Sequence, residues 1–277
     1  MGAPSQRSRS AWAVVRERLS SAHPGTQLAV VTVPIILLLT AAAVTFAWRG
    51  YVRSLDNARH ESQLLARTAD VDAERFLANR IETLSVLGPA PVLARGNLNE
   101  IHGFLSAVVG QSAFSEIGWI DTSGYAQTVG GADLLKEPLY VGDRDHVARA
   151  LKSQAPVVGS AQISRVSRQP TVNVVVPVRD GSKVVALLAG AVRLNGPKTT
   201  DLRFGNVDGL RVLDGQGNLA VIGSEPDLRE LRNATSWASY ARVHAASEGV
   251  LDGASGVLGE PDRVIGFSSV DGSDWVV

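Results

Sequence analysis

The hydrophobic pattern opens with an unbroken apolar run, passes into a helical stripe, and then breaks into short strand-like segments. From Leu28 to Trp48, LAVVTVPIILLLTAAAVTFAW carries no charge. At about 1.5 Å per residue it spans a hydrocarbon core of about 30 Å, which predicts a transmembrane helix over 28–48. The run exceeds the usual apolar part of a cleaved leader and offers only AAA as a small-residue cleavage site. Between Tyr51 and Leu87 there is no Pro or Gly, and Ala69, Ala73, Phe76, Leu77, Ile81 and Leu84 recur at helical spacing. This predicts a long stalk helix stopped by Gly88-Pro89 and Pro91, followed by a short helix over about Leu98–Val109. The stripe packs on the domain beside it, or on a partner helix in a homodimer, or on each along different stretches.

Further along, the short segments repeat. WIDTSGYAQTVG (Trp119–Gly130) and VLDGQGNLAVIG (Val212–Gly223) share an apolar pair, an Asp, two residues, a Gly, five residues and a second Gly, at an offset of 93. In each, an Asp-initiated turn whose glycine supplies positive φ joins two strands, so both read as hairpins. VRDGSKVV (Val178–Val185) and SVDGSDWVV (Ser269–Val277) match at an offset of 91, Asp180-Gly181-Ser182 answering Asp271-Gly272-Ser273. Nearly equal offsets predict two similar α+β modules with antiparallel sheets, joined at 201–209. Valine-rich Pro156–Arg165, Pro170–Val178 and Lys183–Leu194 predict strands of the first module, and TSWASYARVHAASEG predicts the helix of the second. The last strand of the first module runs on to Leu194, whereas the chain stops at Val277, soon after the equivalent turn. We therefore expect a fragment whose final strand is incomplete.

Composition narrows the chemistry. A formal charge of zero and a pI near 7.0 provide no basic field for holding nucleic acid through its phosphates. With no cysteine there are no disulfides, thiolate nucleophiles or Cys-ligated zinc. His23, His60, His102, His146 and His244 lack metal-ligand spacing, and no G-x-S-x-G elbow, P-loop or G-x-G-x-x-G occurs. No cofactor and no catalytic centre is indicated. Arg7, Arg9, Arg16 and Arg18 precede the apolar run while Arg49, Arg53 and Arg59 follow it, a modest asymmetry that makes 1–27 a cytoplasmic arm.

One charged stretch, VGDRDHVARAL (Val141–Leu151), stands before an amphipathic pattern. Asp143 suits an N-cap that accepts from the N–H of Asp145 or His146. Val147, Ala150 and Leu151 form the buried stripe. At 100° per residue Arg144 lies at its edge, able to turn inward, whereas Asp145 points into solvent. A guanidinium beside free N–H groups makes a carboxylate site, or else Arg144 pairs with an acid such as Asp143. His146 hydrogen-bonds a ligand or faces solvent. Gln162, Ser164 and Asn173 line a cavity or lie on the wet face of the sheet. Tyr140 and Trp119 wall a pocket or join the core.

An N-terminal transmembrane helix, a long helix and paired modules with DRDHVARALKSQAPVVGSAQISRVSRQPTVNVVVPVRDGSKVVALLAG resemble the double Cache (tandem PAS-like) sensor region of bacterial transmembrane receptors. The resemblance covers about 50–277 and is strongest from Asp143 to Leu194. It implies a stalk and connecting helix over 49–111, a membrane-distal module over 112–200 and a membrane-proximal one over 201–277. It also implies an inner-membrane protein whose sensor lies outside the cytoplasm, with a small ligand in the distal module and a kinase, cyclase or chemotaxis output. The alternative is a membrane-anchored structural or protein-interaction domain with no small ligand. The amino-acid-binding branch carries Arg-x-Trp-Tyr in this helix and an Asp on the following strand. Here Arg144 matches, His146 and Val147 replace the aromatics, and the acidic position falls near Ser164. This pattern keeps the part that holds a carboxylate and lacks the part that holds an ammonium, so it favours a carboxylate or other polar metabolite over an α-amino acid.

Overall fold

The computed structural model describes residues 24–194, 209–222, 230–257, 259, 261 and 263–277. Of the expected cytoplasmic arm over 1–27 and the expected joint at 201–209, residues 1–23 and 201–208 lie outside the described residues. The chain forms two units, one up to Ala58 and one from Arg59 onward, and helix α1 (Pro24–Leu87) contributes to both.

In the first unit, α1 carries a stretch apolar and long enough to cross a membrane. Its large side chains, among them Ile36, Leu37, Leu38, Leu39 and Phe46, are exposed. The hydroxyls of Thr40 and Thr45 donate back to the carbonyls of Ile36 and Ala41, four residues earlier. That pairing spares these polar groups an unsatisfied position in an apolar surrounding.

In the second unit α1 is amphipathic in the expected way. Ala69, Ala73, Phe76, Leu77 and Leu84 are buried in the main core and Ile81 packs against it, so this stretch of the stripe serves its own domain. The helix ends at Leu87, and Pro91 opens α2 (Pro91–Arg95) at the first helical turn, where a missing N–H costs nothing. Then α3 (Leu98–Gln111) starts at a capping box between Asn97 and Glu100.

The first sheet is built from β1 (Glu116–Asp121), β2 (Tyr125–Gly130), β3 (Leu139–Tyr140), β4 (Val157–Val158), β5 (Gln162–Ile163), β6 (Pro170–Asp180) and β7 (Lys183–Arg193). Its order is β3-β2-β1-β7-β6-β4, with β5 also on β6, and the pairs are antiparallel. Helix α4 (Asp145–Ser153) lies between β3 and β4 in the chain. The expected strand over Pro156–Arg165 is two short strands, since the pairing with β6 lapses after the Gly159 N–H bond to the Asn173 carbonyl and resumes at Gln162. Alternation gives the sheet two different faces. Ile117, Val172, Val174, Val176 and Leu188 join the core of the helices, whereas Ile120, Val175 and Leu187 join a second cluster with Val147 and Ala150 of α4.

The second module repeats this plan with β8 (Arg211–Leu213), β9 (Leu219–Ile222), α5 (Tyr240–Ala245), β10 (Glu248–Ala254) and β11 (Arg263–Ser268). Val276 bridges Leu213 at the end of β8 and Ser269 just after β11, the place that β7 holds between β1 and β6. The repeat extends to atoms. Asp121 Oδ1 accepts from the amides of Ser123 and Tyr125, and Asp214 Oδ1 from those of Gln216 and Asn218. Gly124 and Gly217 supply the positive φ, and the bulge between Trp119 and Ile120 recurs between Val212 and Leu213. The expected long helix over TSWASYARVHAASEG is corrected to the six residues of α5, because Glu248 and Gly249 already pair with Ser268 and Phe267.

Two bidentate ion pairs join α1 to β10, Arg59 with Asp252 and Arg67 with Glu248. The arginines are eight residues apart on a helix and the acids four apart on a strand. Both spacings amount to about 12–13 Å, which lets the two pairs form at once.

Candidate ligand site

A cavity of about 80 Å³ opens on the face of the first sheet that looks away from α1. Its floor is made by small residues, Gly118 on β1, Ala126 on β2, and Ala189 and Ala191 on β7, and its walls by β5, the segment after it, and the start of α4. A Cβ placed on Gly118 would meet nothing closer than 3.9 Å. By contrast, one on Gly190, on the opposite face, would lie 2.6 Å from Phe114 and 2.9 Å from Leu84. The same sheet is thus filled on its helix side and hollow on the other.

Arg144, Gln162, Ser164, Asn173 and His146 all line this cavity, so the structure brings together five of the expected site residues. Arg144 turns inward, but the reason differs from the expected one. Helix α4 begins at Asp145, and Arg144 is itself the extended N-cap residue, with φ −76° and ψ 129°. Asp143 is not the cap; it holds Arg165 in a two-pronged pair, and that hydrogen bond draws its carboxyl below the usual range. Arg165 also donates to the carbonyl of Tyr140. With Asp143 held by Arg165, Arg144 forms no salt bridge among the described residues. It donates to Gln162 Oε1 at 2.8 Å and to the carbonyl of Ile163 at 3.3 Å. Burial, then the charge of Arg165, lowers its pKa, and a guanidinium stays charged regardless. Asp145 is exposed as expected and pairs with Arg149 one turn on.

His146 does not face solvent. It is 5% exposed, and its Nε2 lies 3.3 Å from Gln162 Nε2. Arg144 fixes the Gln162 oxygen toward itself, so the amide NH₂ faces the ring and His146 Nε2 must accept. The imidazole is therefore neutral with its proton on Nδ1. Burial, then the charge of Arg144, pushes its pKa down to about 4. Tyr140 and Trp119 are also corrected. Tyr140 is outside the cavity and half exposed, its ring 5.0 Å from that of Tyr125. Trp119 is on the helix side, packs against the main core, and donates its indole N–H to the carbonyl of Leu93.

A residue that the sequence did not single out completes the site. Glu116, at the start of β1, is 5% exposed and lines the cavity. Its Oε2 accepts from Ser164 Oγ at 3.0 Å, while its buried Oε1 has no hydrogen-bond partner among the described residues. The position where the resemblance would put an acid is Ser164, as the sequence shows, but an acid from another strand is tied to it by this hydrogen bond. The clue was its parity with Gly118 and Ile120, hidden because the hairpin motif starts only at Trp119.

A larger cavity, about 190 Å³, lies in the second module beside Leu65, Leu213, Trp237, Val243 and Phe267. Its walls are mostly apolar among the described residues, with Arg211 and Arg263 as their charged groups and no acid. Among the described residues no group of three or more His, Asp or Glu is placed to hold a metal ion.

No family model and no curated protein sequence matches the chain. Solved structures do resemble it. The ligand-binding domain of the Pseudomonas fluorescens chemoreceptor CtaA, in complex with L-isoleucine, has a TM-score of 0.60 at 12% identity, covering 83% of this chain and 94% of its own. That of the Pseudomonas aeruginosa amino-acid chemoreceptor PctB, with L-Gln, has a TM-score of 0.54 at 16% identity, covering 78% and 87%. That of the P. aeruginosa amino-acid chemoreceptor PctC, with GABA, has a TM-score of 0.60 at 14% identity, covering 79% and 98%. At these identities the likeness is one of fold, and the fold is the double Cache fold.

Proposed function

We propose that this chain is the ligand-sensing region of a bacterial membrane receptor, anchored by the apolar part of α1 with its sensor modules outside the cytoplasm. The ligand occupies the cavity of the first module and carries both a carboxylate and an ammonium group, as α- and ω-amino acids do. One observation carries this reading: Arg144 and Glu116 present opposite charges to one small cavity, and each keeps unused hydrogen-bonding capacity there. A buried carboxylate with a bare oxygen is costly until a donor meets it, and a guanidinium with donors to spare suits a carboxylate. The similar folds that hold L-isoleucine, L-Gln and GABA support the same class. At about 80 Å³ the site suits a small ligand, and a longer one requires Gln162 to swing away from Arg144.

Binding transmits a signal only if the ligand favours one of two arrangements of the domain over the other. The ion pairs from α1 to β10 and a homodimer through the stalk provide the route outward in this reading. The test is calorimetric titration of the full chain in nanodiscs with proteinogenic amino acids, γ-aminobutyrate, succinate and putrescine. Binding of the zwitterions, and neither of the diacid nor of the diamine, is expected. Binding of succinate alone would remove Glu116 from the reading, and binding of none would favour a structural domain.

A further inference from the structure

The cavity is also tied from outside its own module. Asp214, in the turn between β8 and β9 of the second module, is fully buried, and its Oδ2 accepts from the backbone N–H of Ala161 at 2.7 Å. Asn218, in the same turn, donates to the carbonyl of Ala161 at 3.3 Å and to Asp214 Oδ2 at 3.0 Å. Both backbone groups of Ala161 are therefore held by the second module. The next residue is Gln162, which contacts Arg144 and His146 and stands in the cavity wall.

From this chain of contacts we infer that Asp214 and Asn218 are positioning residues for the ligand site, holding β5 so that Gln162 and the Ile163 carbonyl fix Arg144. Their counterpart in the first module shows what a plain turn needs. Asp121 caps its own turn with Oδ1 and spends Oδ2 on Gln127, six residues on and within its own module. Asp214 makes the same turn and commits its second oxygen across the module boundary. A charge-assisted bond from a buried carboxylate is among the stronger hydrogen bonds, and Ala161 sits in the gap between β4 and β5, where no ladder holds it. The tie is also reciprocal by linkage: whatever the β8–β9 turn does to Gln162, a ligand that displaces Gln162 does to the turn. This role in ligand control rests on the function proposed above, while the tie itself does not.

Hydrogen exchange of the full chain in nanodiscs, read by mass spectrometry, tests it without a ligand. In Asp214→Asn either orientation of the amide sets an NH₂ against N–H donors, and exchange across 161–164 should rise about tenfold or more. Asn218→Ala keeps the carboxylate and should give a smaller rise at the same residues. Asp121→Asn damages the equivalent turn and should leave 161–164 unchanged. The His146 resonance of ¹³C-histidine-labelled chain should move its titration midpoint in Asp214→Asn and Asn218→Ala but not in Asp121→Asn, a readout that loosening of the turn alone does not shift. If both second-module variants loosen only residues 214–219, with 161–164 and His146 as in the wild type, the inference is overturned. Titration with L-glutamine and γ-aminobutyrate then separates the two ideas. Absence of wild-type binding sinks the proposed ligand and leaves the exchange result standing; weaker binding in Asp214→Asn than in Asp121→Asn supports both.

Discussion

Ser164 and Glu116 are joined by a hydrogen bond whose direction is set by its surroundings. The Ser164 hydroxyl oxygen accepts from the amides of Val166 and Ser167, so its single proton is committed to Glu116 Oε2 at 3.0 Å. The serine orients the acid and leaves the other oxygen for an incoming donor.

Glu116→Gln should therefore weaken binding of an amino-acid ligand by about tenfold to a hundredfold, the loss of one charge-assisted hydrogen bond. It should not lower the melting temperature, because it removes a buried charge that the protein alone leaves half satisfied. Titration calorimetry and thermal melts of the same preparation give both numbers. A lower melting temperature with unchanged affinity would make Glu116 structural.

Arg144→Lys keeps the charge but replaces a planar fork with a point charge. It cannot hold Gln162, the Ile163 carbonyl and a ligand carboxylate together, so affinity should fall by roughly tenfold or more. Arg144→Ala should in addition raise the midpoint of His146, since the neighbouring positive charge is one cause of its depression, while burial keeps it below the ordinary range. NMR titration of labelled histidine reads that shift.

The two sheet glycines predict opposite outcomes. Gly190→Ala forces a methyl group into Phe114 and Leu84 in the helix-side core and should cost about 1–3 kcal/mol in denaturant unfolding. Gly118→Ala meets only ordinary contacts, and Gly118→Val should fill the ligand cavity, abolishing binding with little change in stability. Equal destabilisation at both positions would mean that the cavity closes in solution.

His146 predicts a pH-dependent stability. Its folded pKa of about 4 lies below the unfolded value of 6.5, so the unfolded chain binds the proton first. Its contribution is fully present above about pH 6.5, falls as pH drops toward 4, and changes no further below that. The loss across this window is on the order of 3 kcal/mol. Unfolding free energies measured between pH 7.5 and 4.5 should show that slope in the wild type and a clearly smaller one in His146→Gln. The carboxyls lowered by arginine partners, Asp143, Glu248 and Asp252, lose their contributions at more acid pH, mostly below this window.

Much of the architecture is written in short-range patterns. The apolar run, the stripe through Ala73 and Leu84, the Gly-Pro stop and the two Asp-x-x-Gly turns each depend on residues a few positions apart, and each appears where the sequence puts it. The repeat was legible for the same reason, down to matching turn bonds and bulges. Arg144, His146, Gln162, Ser164 and Asn173 were also within reach, being polar groups on a helix start and on valine-rich strands.

What the tertiary structure decided was pairing at a distance. Asp143 had two arginines to choose from, and the loop brings Arg165 to it, which frees Arg144 for the cavity. Trp119 and Glu116 belong to one strand, yet their opposite parity sends one to the helices and the other to the ligand face. Glu116 meets Ser164 and Asp214 meets Ala161 across 48 and 53 residues, separations at which local preference carries no information. The sequence by itself determined the long helix, the paired turns and the repeat of the module, while the lengths of β4, β5 and α5 followed from pairing with neighbouring strands. Only the packing of those elements decided which charges are paired and which remain for a ligand, because that depends on which side chains share a buried volume.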